Sequence, residues 1–360
     1  NRAGAVEIER AAGDYAYAAR RRRELGPGGL LAALSARAAW TSAATHAVLP
    51  LLATDAGLRR QLVTGISAHR RRAGSWSGGL WLPECAHAEW LHGPLEAAGV
   101  SSTCVELTRV FGLGDRRHLT PLLTDEGPVL WPIDRAMMAL VWSDGGYPSR
   151  GPYRNYHGLT THRHHVWGND GAVYDAGAAR LQAAADAADF VARVRERVAG
   201  GGVCVCAFDT ELLGHWWYEG VQWLSAVIDE CARQGLALST LDDARGEATP
   251  VAPPAQLPIT SWGEGGDLRT WSAPRVADLA FAARTAELRL AAARRPVPVR
   301  AARELLALQS SDWAFLAYRG TAGAYPRERF SGHLAAFGQA LAGDPALGPE
   351  LRGLAPDLAA

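Results

Sequence analysis

The sequence predicts an α/β fold of parallel strands joined by crossover helices, followed by a helical C-terminal part. Three observations predict it. Short apolar runs of strand length (residues 78–84, 100–107 and 203–209) alternate with helical stretches, and strand–helix–strand order implies parallel pairing through crossovers. Two of these runs, GGLWLPE and VCVCAFD, end on an acid. A Pro-rich piece at 249–258 reads as a linker, and beyond it the pattern is helical.

In chain order, residues 1–37 read as helix, rich in Ala, Arg and Glu with periodic apolar positions. A short strand at 38–41 leads through Thr45-His46 into a helix over 51–72. Residues 78–84 form a glycine-bounded apolar run, hence a buried strand. The pattern predicts a helix over 91–98 that ends at Gly99. Strands follow at 100–107 and 129–133. A long Ala-rich helix over 176–198 closes on Gly200-Gly201-Gly202. The apolar run 203–209 predicts a strand, 218–234 a helix and 236–240 a further strand. After the linker, 276–293, 300–308 and 330–341 read as helices. No internal repeat is visible. This organisation suggests two parts, 1–248 and 249–360.

Composition narrows the function classes. The 360 residues are 48% hydrophobic and 21% charged, enough for one large catalytic domain with an appendage or for two modest domains. Basic and acidic residues number 37 each, so net charge lends no support to a nucleic-acid or membrane-surface partner. Every basic residue is Arg, and the Arg runs at 20–23 and 70–72 read as solvated helix faces. The five Cys (Cys85, Cys104, Cys204, Cys206, Cys231) are odd in number, form no CxxC pair and sit in apolar runs. They read as reduced, mostly buried thiols of a cytoplasmic protein, not as a zinc site. No apolar stretch is long enough to span a bilayer, and no signal peptide is visible. Thirteen Trp is an unusual number: many must be core, and a surplus also suits a site that stacks sugar rings.

The chemistry concentrates at the two acids. At the C-terminal ends of parallel barrel strands, side chains face one mouth, where active sites are built. Paired carboxylates there suit glycoside chemistry with retention, in which a nucleophile and a general acid/base stand roughly 5–5.5 Å apart. A strand-end acid taken alone reads equally well as a helix cap or a structural ion pair. The flanks shift that balance: Glu84 lies in Trp81-Leu82-Pro83-Glu84-Cys85-Ala86, and Asp209 is followed by a turn containing His215, Trp216, Trp217 and Tyr218. Rings supply stacking surface for pyranose faces, and His and acidic groups hydrogen-bond hydroxyls.

These two stretches resemble glycoside hydrolase family 57, and within it the 1,4-α-glucan branching enzymes. WLPECA matches the family motif that carries the catalytic nucleophile, which implies that role for Glu84. FDTELLGHWWYEG matches the motif that carries the general acid/base, which implies that role for Asp209. THAVLP resembles the motif whose His lines the donor subsite, so the resemblance makes His46 a substrate-binding residue; alone it would read as a capping or core His. Trp142, ahead of Gly146-Tyr147-Pro148, looks like the family's Trp near the cleavage point. Trp262 and Trp271 recur at the spacing of two Trp that the helical part gives to the glucan groove. Each of these Trp taken singly would read as core. QSSDW, with Asp312, resembles the last family motif. His215 and Trp216 complete the implied substrate-binding set.

The resemblance implies a (β/α)7-type barrel, incomplete at its N-terminus, followed by an α-helical domain. Family members begin with a strand carrying a His-x-His-x-Pro motif. The residues ahead of Thr45 contain none, so the chain, which starts at Asn1, reads as a fragment of a longer protein. The implied activity is retaining transfer of an α-1,4-glucan segment to a 6-hydroxyl, without metal or organic cofactor. Residues 109–128 are short and contain no Tyr, where branching enzymes carry a mobile loop with a Tyr over the acceptor side. A larger share of hydrolysis is expected on that ground. The alternatives are an α-glucan hydrolase, a 4-α-glucanotransferase, or a non-catalytic glucan-binding relative. The cluster His157, His162, His164 and His165 fits no common zinc spacing and reads as a solvated loop. The Arg pairs lack the interleaved aromatics of a nucleic-acid groove.

Overall fold

The computed structural model of the chain describes residues 2–294, 296–356 and 358. The chain divides into two compact units, one of residues 1–31, 113–120 and 133–249, the other of residues 32–112, 121–132 and 250–360. The helical C-terminal segment thus shares a unit with the strands that precede the linker.

The second unit contains the sheet. Its strands are β1 (Thr41–Ser42), β2 (Gly79–Trp81), β3 (Ser102–Val105), β4 (Leu122–Leu123) and β5 (Val129–Pro132), in the order β1-β2-β3-β5-β4. All neighbours run parallel except β4 with β5. Among the described residues β1 and β4 are the edges of the sheet. The parallel ladder registers Thr41 with Leu80, Gly79 with Ser102, and Ser102 with Val129. The crossovers use the helices Asp55–Ala73 and His92–Ala97, where the apolar period called for them. Thr54 caps the first by accepting from the Gly57 N–H. Gly99, at φ 82°, ends the second as its sequence position implied. Gly65 permits close helix-to-sheet packing, since a Cβ there would stand 2.2 Å from the Ser42 carbonyl oxygen. Leu49, Leu58, Leu62, Leu80, Leu82 and Leu130 fill the space between these elements. The C-terminal helices Ala277–Ala291, Val299–Leu308 and Tyr325–Leu341 form their own apolar cluster around Leu305 and Phe337.

The first unit is built on two helices, Ala176–Arg197 and Gly220–Gln234, packed around Trp217, Trp223, Phe190 and Tyr153. Trp217 and Trp223 are each 1% exposed, with ring centroids 5.2 Å apart. Burial of that size contributes roughly 4–6 kcal/mol of gross transfer free energy per ring. Polar pins join the same core: the Tyr153 hydroxyl donates to Asp186 (2.6 Å) and the Tyr147 hydroxyl to Asp189 (2.7 Å).

Two expected strands of this unit are not strands. Residues 203–209 run extended but pair through a single parallel bridge, Ile133 with Val205. The partner lasts only that long because Asp134, after donating its N–H to the Val205 carbonyl, caps the helix Arg135–Trp142. Residues 236–240 also pair with nothing among the described strands. Leu236 closes the preceding helix on the Cys231 carbonyl, Thr240 caps the helix Leu241–Glu247, and Leu238 is 60% exposed. The chain there is consumed by caps.

The five cysteines are free thiols, Cys85, Cys104 and Cys231 buried and the other two half-buried. Among the described residues no helix is long and apolar enough to cross a membrane.

Candidate active site

Glu84 belongs to the second unit. The chain leaves β2 at Trp81 and turns sharply at Pro83–Cys85, with Glu84 at φ 59° and Cys85 at φ 51°. Left-handed backbone costs about 1–3 kcal/mol per non-glycine residue and persists only where surroundings enforce it. Here they do. Within the turn the Cys85 N–H donates to Leu82 (2.8 Å) and the Ala86 N–H to Pro83 (3.0 Å). From the C-terminal segment, Thr260 exchanges both backbone hydrogen bonds with His87 (2.9 and 3.0 Å), and the Trp262 N–H donates to the Glu84 carbonyl (3.1 Å). Cys85 and Ala86 are fully buried, which leaves the intervening carboxylate as the group the turn presents.

That carboxylate is held from two sides. The Trp262 indole N–H donates to Oε2 at 2.8 Å, and Trp262 in turn lies 5.0 Å from the Trp81 ring. His46 Nδ1 stands 3.7 Å from Oε1, an ion-pair rather than a hydrogen-bond separation, and 3.1 Å from the Ser311 hydroxyl. The Glu84 side chain is 13% exposed and that of His46 42%. His46 is itself left-handed, at φ 54°, and is enforced in the same manner: Ala47 bridges to Ser310, and the Ser311 N–H donates to the His46 carbonyl (3.2 Å).

Beneath His46 runs a buried polar chain. Gln61 donates to Thr45 and to Gln309 (both 2.9 Å), and Gln309 donates to Glu287 (3.0 Å). Glu287, 1% exposed, also accepts from the Ala53 and Thr54 N–H groups and from the Thr54 hydroxyl. The Thr45 hydroxyl donates to the Leu306 carbonyl. These bonds fix the 45–54 segment to the C-terminal helices. On the other flank His87, 0% exposed, shares a 2.8 Å Nε2–Nε2 contact with His92. Burial, with the neighbouring His92 adding to it, pushes the His87 imidazole down to about 3, so the pair shares one neutral N–H···N bond.

Asp209 belongs to the first unit. It ends the extended run and opens a short 3₁₀ turn, Thr210–Leu212. The following turn is tightly closed: Trp216 N–H donates to Glu211 (3.1 Å), Trp217 N–H to Leu212 (2.9 Å) and Gly214 N–H to Trp217 (2.8 Å). Leu212 and Trp217 anchor it in the core, while His215 and Trp216, the latter 46% exposed, project outward. Trp142, at the end of its helix, is 42% exposed.

The structure therefore brings together His46, Glu84 and Trp262 of the expected set, and separately places Asp209, His215 and Trp216 on one turn. Trp271 departs from the groove-lining expectation. It is 2% exposed, packs with Val48 and Ala86, and presses on Gly263, where a Cβ would stand 2.7 Å from its ring. Its position is that of a support beneath the Trp262 loop. From the last motif, Ser311 and not Asp312 reaches His46; Asp312 is exposed and accepts a 3.5 Å bond from the Ser310 hydroxyl. Sequence reasoning missed Ser311, Trp81 and the His87–His92 pair. Trp81 carried a signal in its place beside Glu84, and Ser311 in its place within QSSDW; the His87–His92 pair carried none.

Comparison with known proteins bears on the same stretches. The sequence model of glycosyl hydrolase family 57 matches residues 39–254, and that of the 1,4-alpha-glucan branching enzyme C-terminal region matches residues 275–343. A probable 1,4-alpha-glucan branching enzyme of Mycobacterium tuberculosis is 34% identical over 319 residues, covering 79% of this chain and 59% of the relative. A 1,4-alpha-glucan branching enzyme of Thermococcus kodakarensis is 29% identical over 353 residues, covering 80% of this chain and 51% of the relative. This chain thus spans between half and three-fifths of the length of these curated relatives. The crystal structure of a GH57-type branching enzyme from Pyrococcus horikoshii superposes with a TM-score of 0.77 at 29% identity, covering 83% of this chain and 63% of that one. The fold class is the one read from the sequence: a parallel α/β barrel type followed by helices.

Proposed function

Because this chain belongs to glycosyl hydrolase family 57, we propose that it acts on α-1,4-glucans as a retaining glycosyl-transferring enzyme of the branching type. Glu84 serves as the nucleophile and Asp209 as the general acid/base. In the first step a Glu84 carboxylate oxygen attacks the anomeric carbon of an α-1,4 bond, while the Asp209 carboxyl gives its proton to the departing glycosidic oxygen. In the second, the Asp209 carboxylate takes the proton of an acceptor 6-hydroxyl, whose oxygen attacks the anomeric carbon and frees Glu84. The product is an α-1,6 branch. Water in place of the acceptor would give hydrolysis.

The observation that carries this reading is the treatment of Glu84. A strained turn held by hydrogen bonds from another chain segment, with an indole N–H on one oxygen and an imidazole near the other, is costly for a merely structural acid. The indole bond orients one carboxylate oxygen and leaves the other toward His46, as a nucleophile requires. Trp262, Trp142 and Trp216 would offer faces to pyranose rings, and His46, His215 and the exposed Asp312 would bond hydroxyls, with Trp271 acting from behind. On this reading residues 1–248 carry the catalytic part and 249–360 supply Trp262 and the supports of both strained turns.

The test is incubation with amylose, followed by linkage analysis of the product. New α-1,6 linkages that vanish in Glu84→Gln and in Asp209→Asn support the reading. Shortened chains without branches would make the protein a hydrolase or 4-α-glucanotransferase. Glucan binding without turnover in the parent chain would make it a binding relative.

A further inference from the structure

The segment 154–168, a solvated His-rich loop on sequence grounds, has a defined frame in the first unit. Arg154 bridges antiparallel to Gly168, and the Asn155 N–H donates to the Trp167 carbonyl (2.9 Å). The Asn155 side-chain oxygen accepts from the His157 and Gly158 N–H groups (2.8 and 2.7 Å). Nδ1 of His165 lies 3.0 Å from the Asn155 carbonyl. A carbonyl can only accept, so Nδ1 carries a proton, and Nε2 is left to face the cavity as an acceptor in the neutral ring or a donor in the charged one.

This frame sets Tyr156 against a stack of rings. Its centroid lies 4.6 Å from Trp216, 5.6 Å from His215 and 5.9 Å from His165, the last nearly parallel at 23°. Beside them opens a cavity of about 640 Å³, lined also by Tyr218 and by Asp14 of the N-terminal helix Arg2–Leu25. That volume falls within the roughly 300–1,000 Å³ of small-molecule sites. Asp14 accepts a hydrogen bond from the Tyr218 hydroxyl. Arg154, the half-buried cation of this wall, is committed elsewhere: it pairs with the buried Glu7 at 3.3 Å and lies 3.8 Å over the Tyr218 ring. The lining also carries the exposed Arg163, whose guanidinium can donate to hydroxyls as well as to anions, and is otherwise made of aromatic faces and neutral or acceptor groups. That is the complement of a neutral, hydroxyl-rich ring.

We propose that this cavity is an additional saccharide subsite, in which Tyr156 and Trp216 stack pyranose units of an α-1,4-glucan and His165, His215 and Asp14 hydrogen-bond their hydroxyls. It rests on the reading that the substrate is an α-glucan. Its new residues are Tyr156, His165 and Asp14, which lie outside the motifs that mark the reaction.

The test measures maltoheptaose binding by titration calorimetry to the full chain carrying Glu84→Gln, alone and with Tyr156→Ala. A Kd at least about ten-fold weaker on adding Tyr156→Ala, with an unchanged melting curve, supports the subsite. An unchanged Kd in a folded variant overturns it, as does failure of the Glu84→Gln chain to bind maltoheptaose at all. Should Tyr156→Ala not fold, His165→Gln is measured in its place, and a Kd within two-fold of the Glu84→Gln chain then overturns the proposal. Branching by the parent chain is assayed separately. A chain that binds through Tyr156 but forms no branches refutes the enzymatic reading alone, and one that forms branches with binding indifferent to Tyr156 refutes the subsite alone.

Discussion

His87 should make the second unit acid-labile, and the size of the effect follows from its surroundings. The imidazole is 0% exposed, bonded to His92 at 2.8 Å, and held down to about 3 by burial first and His92 second. His92 is lowered too, by its own burial, with Glu89 opposing. An unfolded His titrates near 6.5. Above that pH neither state binds the proton and His87 contributes no slope. Below it the unfolded chain takes up a proton that the native state refuses, so stability falls as pH drops, until the native group protonates near pH 3. Each pH unit inside that window costs about 1.36 kcal/mol. Between pH 7.5 and pH 5 only the 1.5 units below 6.5 count, giving a loss of about 2 kcal/mol from this group. Guanidinium unfolding followed by Trp fluorescence at both pH values, on the parent chain and on His87→Gln, isolates the term of the His87–His92 pair, because titrating groups that do not touch His87 cancel between the two. The glutamine retains a hydrogen-bonding amide and does not titrate. The stability lost between pH 7.5 and 5 should be about 2 kcal/mol smaller in the variant. Equal losses would refute the argument and mean that His87 is protonated in the native state.

Three further outcomes are expected. Asp209→Asn should lower branching of amylose by roughly 10²–10⁴-fold, the usual worth of a positioned general acid/base, and Glu84→Gln by at least as much; near-parental rates in either variant would remove that residue from the mechanism. Trp262→Phe keeps the ring but deletes the 2.8 Å bond to Glu84, worth about 1.5–3 kcal/mol for a charged acceptor, so kcat/KM should fall roughly 10- to 150-fold, and an unchanged value would show that the indole does not orient the carboxylate. Glu287→Ala strips the Ala53, Thr54 and Gln309 donors of their buried acceptor and should cost about 3 kcal/mol or more in denaturant unfolding, with a loss below 1 kcal/mol counting against the network.

The elements most legible in the sequence were those with a strong period and a terminator. The helix Ala176–Arg197 and the helix Gly220–Gln234 appeared within a residue or two of their expected bounds, because apolar spacing and glycine stops act locally. The expected strand 236–240 is consumed by the caps of its two flanking helices, whereas 203–209 failed for a reason no local window contains. Strand formation needs a partner of equal length, and Ile133 offers one residue before Asp134 starts a helix. The same limit governed the site. Glu84 and His46, expected from their motifs, stand 3.7 Å apart, whereas Ser311, 265 residues from His46 in sequence, becomes a partner only through the fold. Trp271 shows the opposite error: its spacing matched a groove residue, but only packing could reveal that its ring lies under the Trp262 loop.

Strain also explains why the helical segment and the strands share one unit. His46, Glu84 and Cys85 are half of the six non-glycine residues with positive φ among those described. At about 1–3 kcal/mol each, these three represent some 3–9 kcal/mol that the strands alone do not repay, a sum comparable with a domain's entire stability. The repayment comes from beyond residue 249. Thr260 and Trp262 bond the Glu84 turn, Ser310 and Ser311 bond the His46 turn, and Gln309 with Glu287 anchors the segment between Thr45 and Thr54. A catalytic part bounded at residue 248 would have to hold two left-handed turns without any of those bonds. The helical segment is therefore a structural condition for the geometry of Glu84, and its loss should relax the Glu84 turn before it unfolds the sheet.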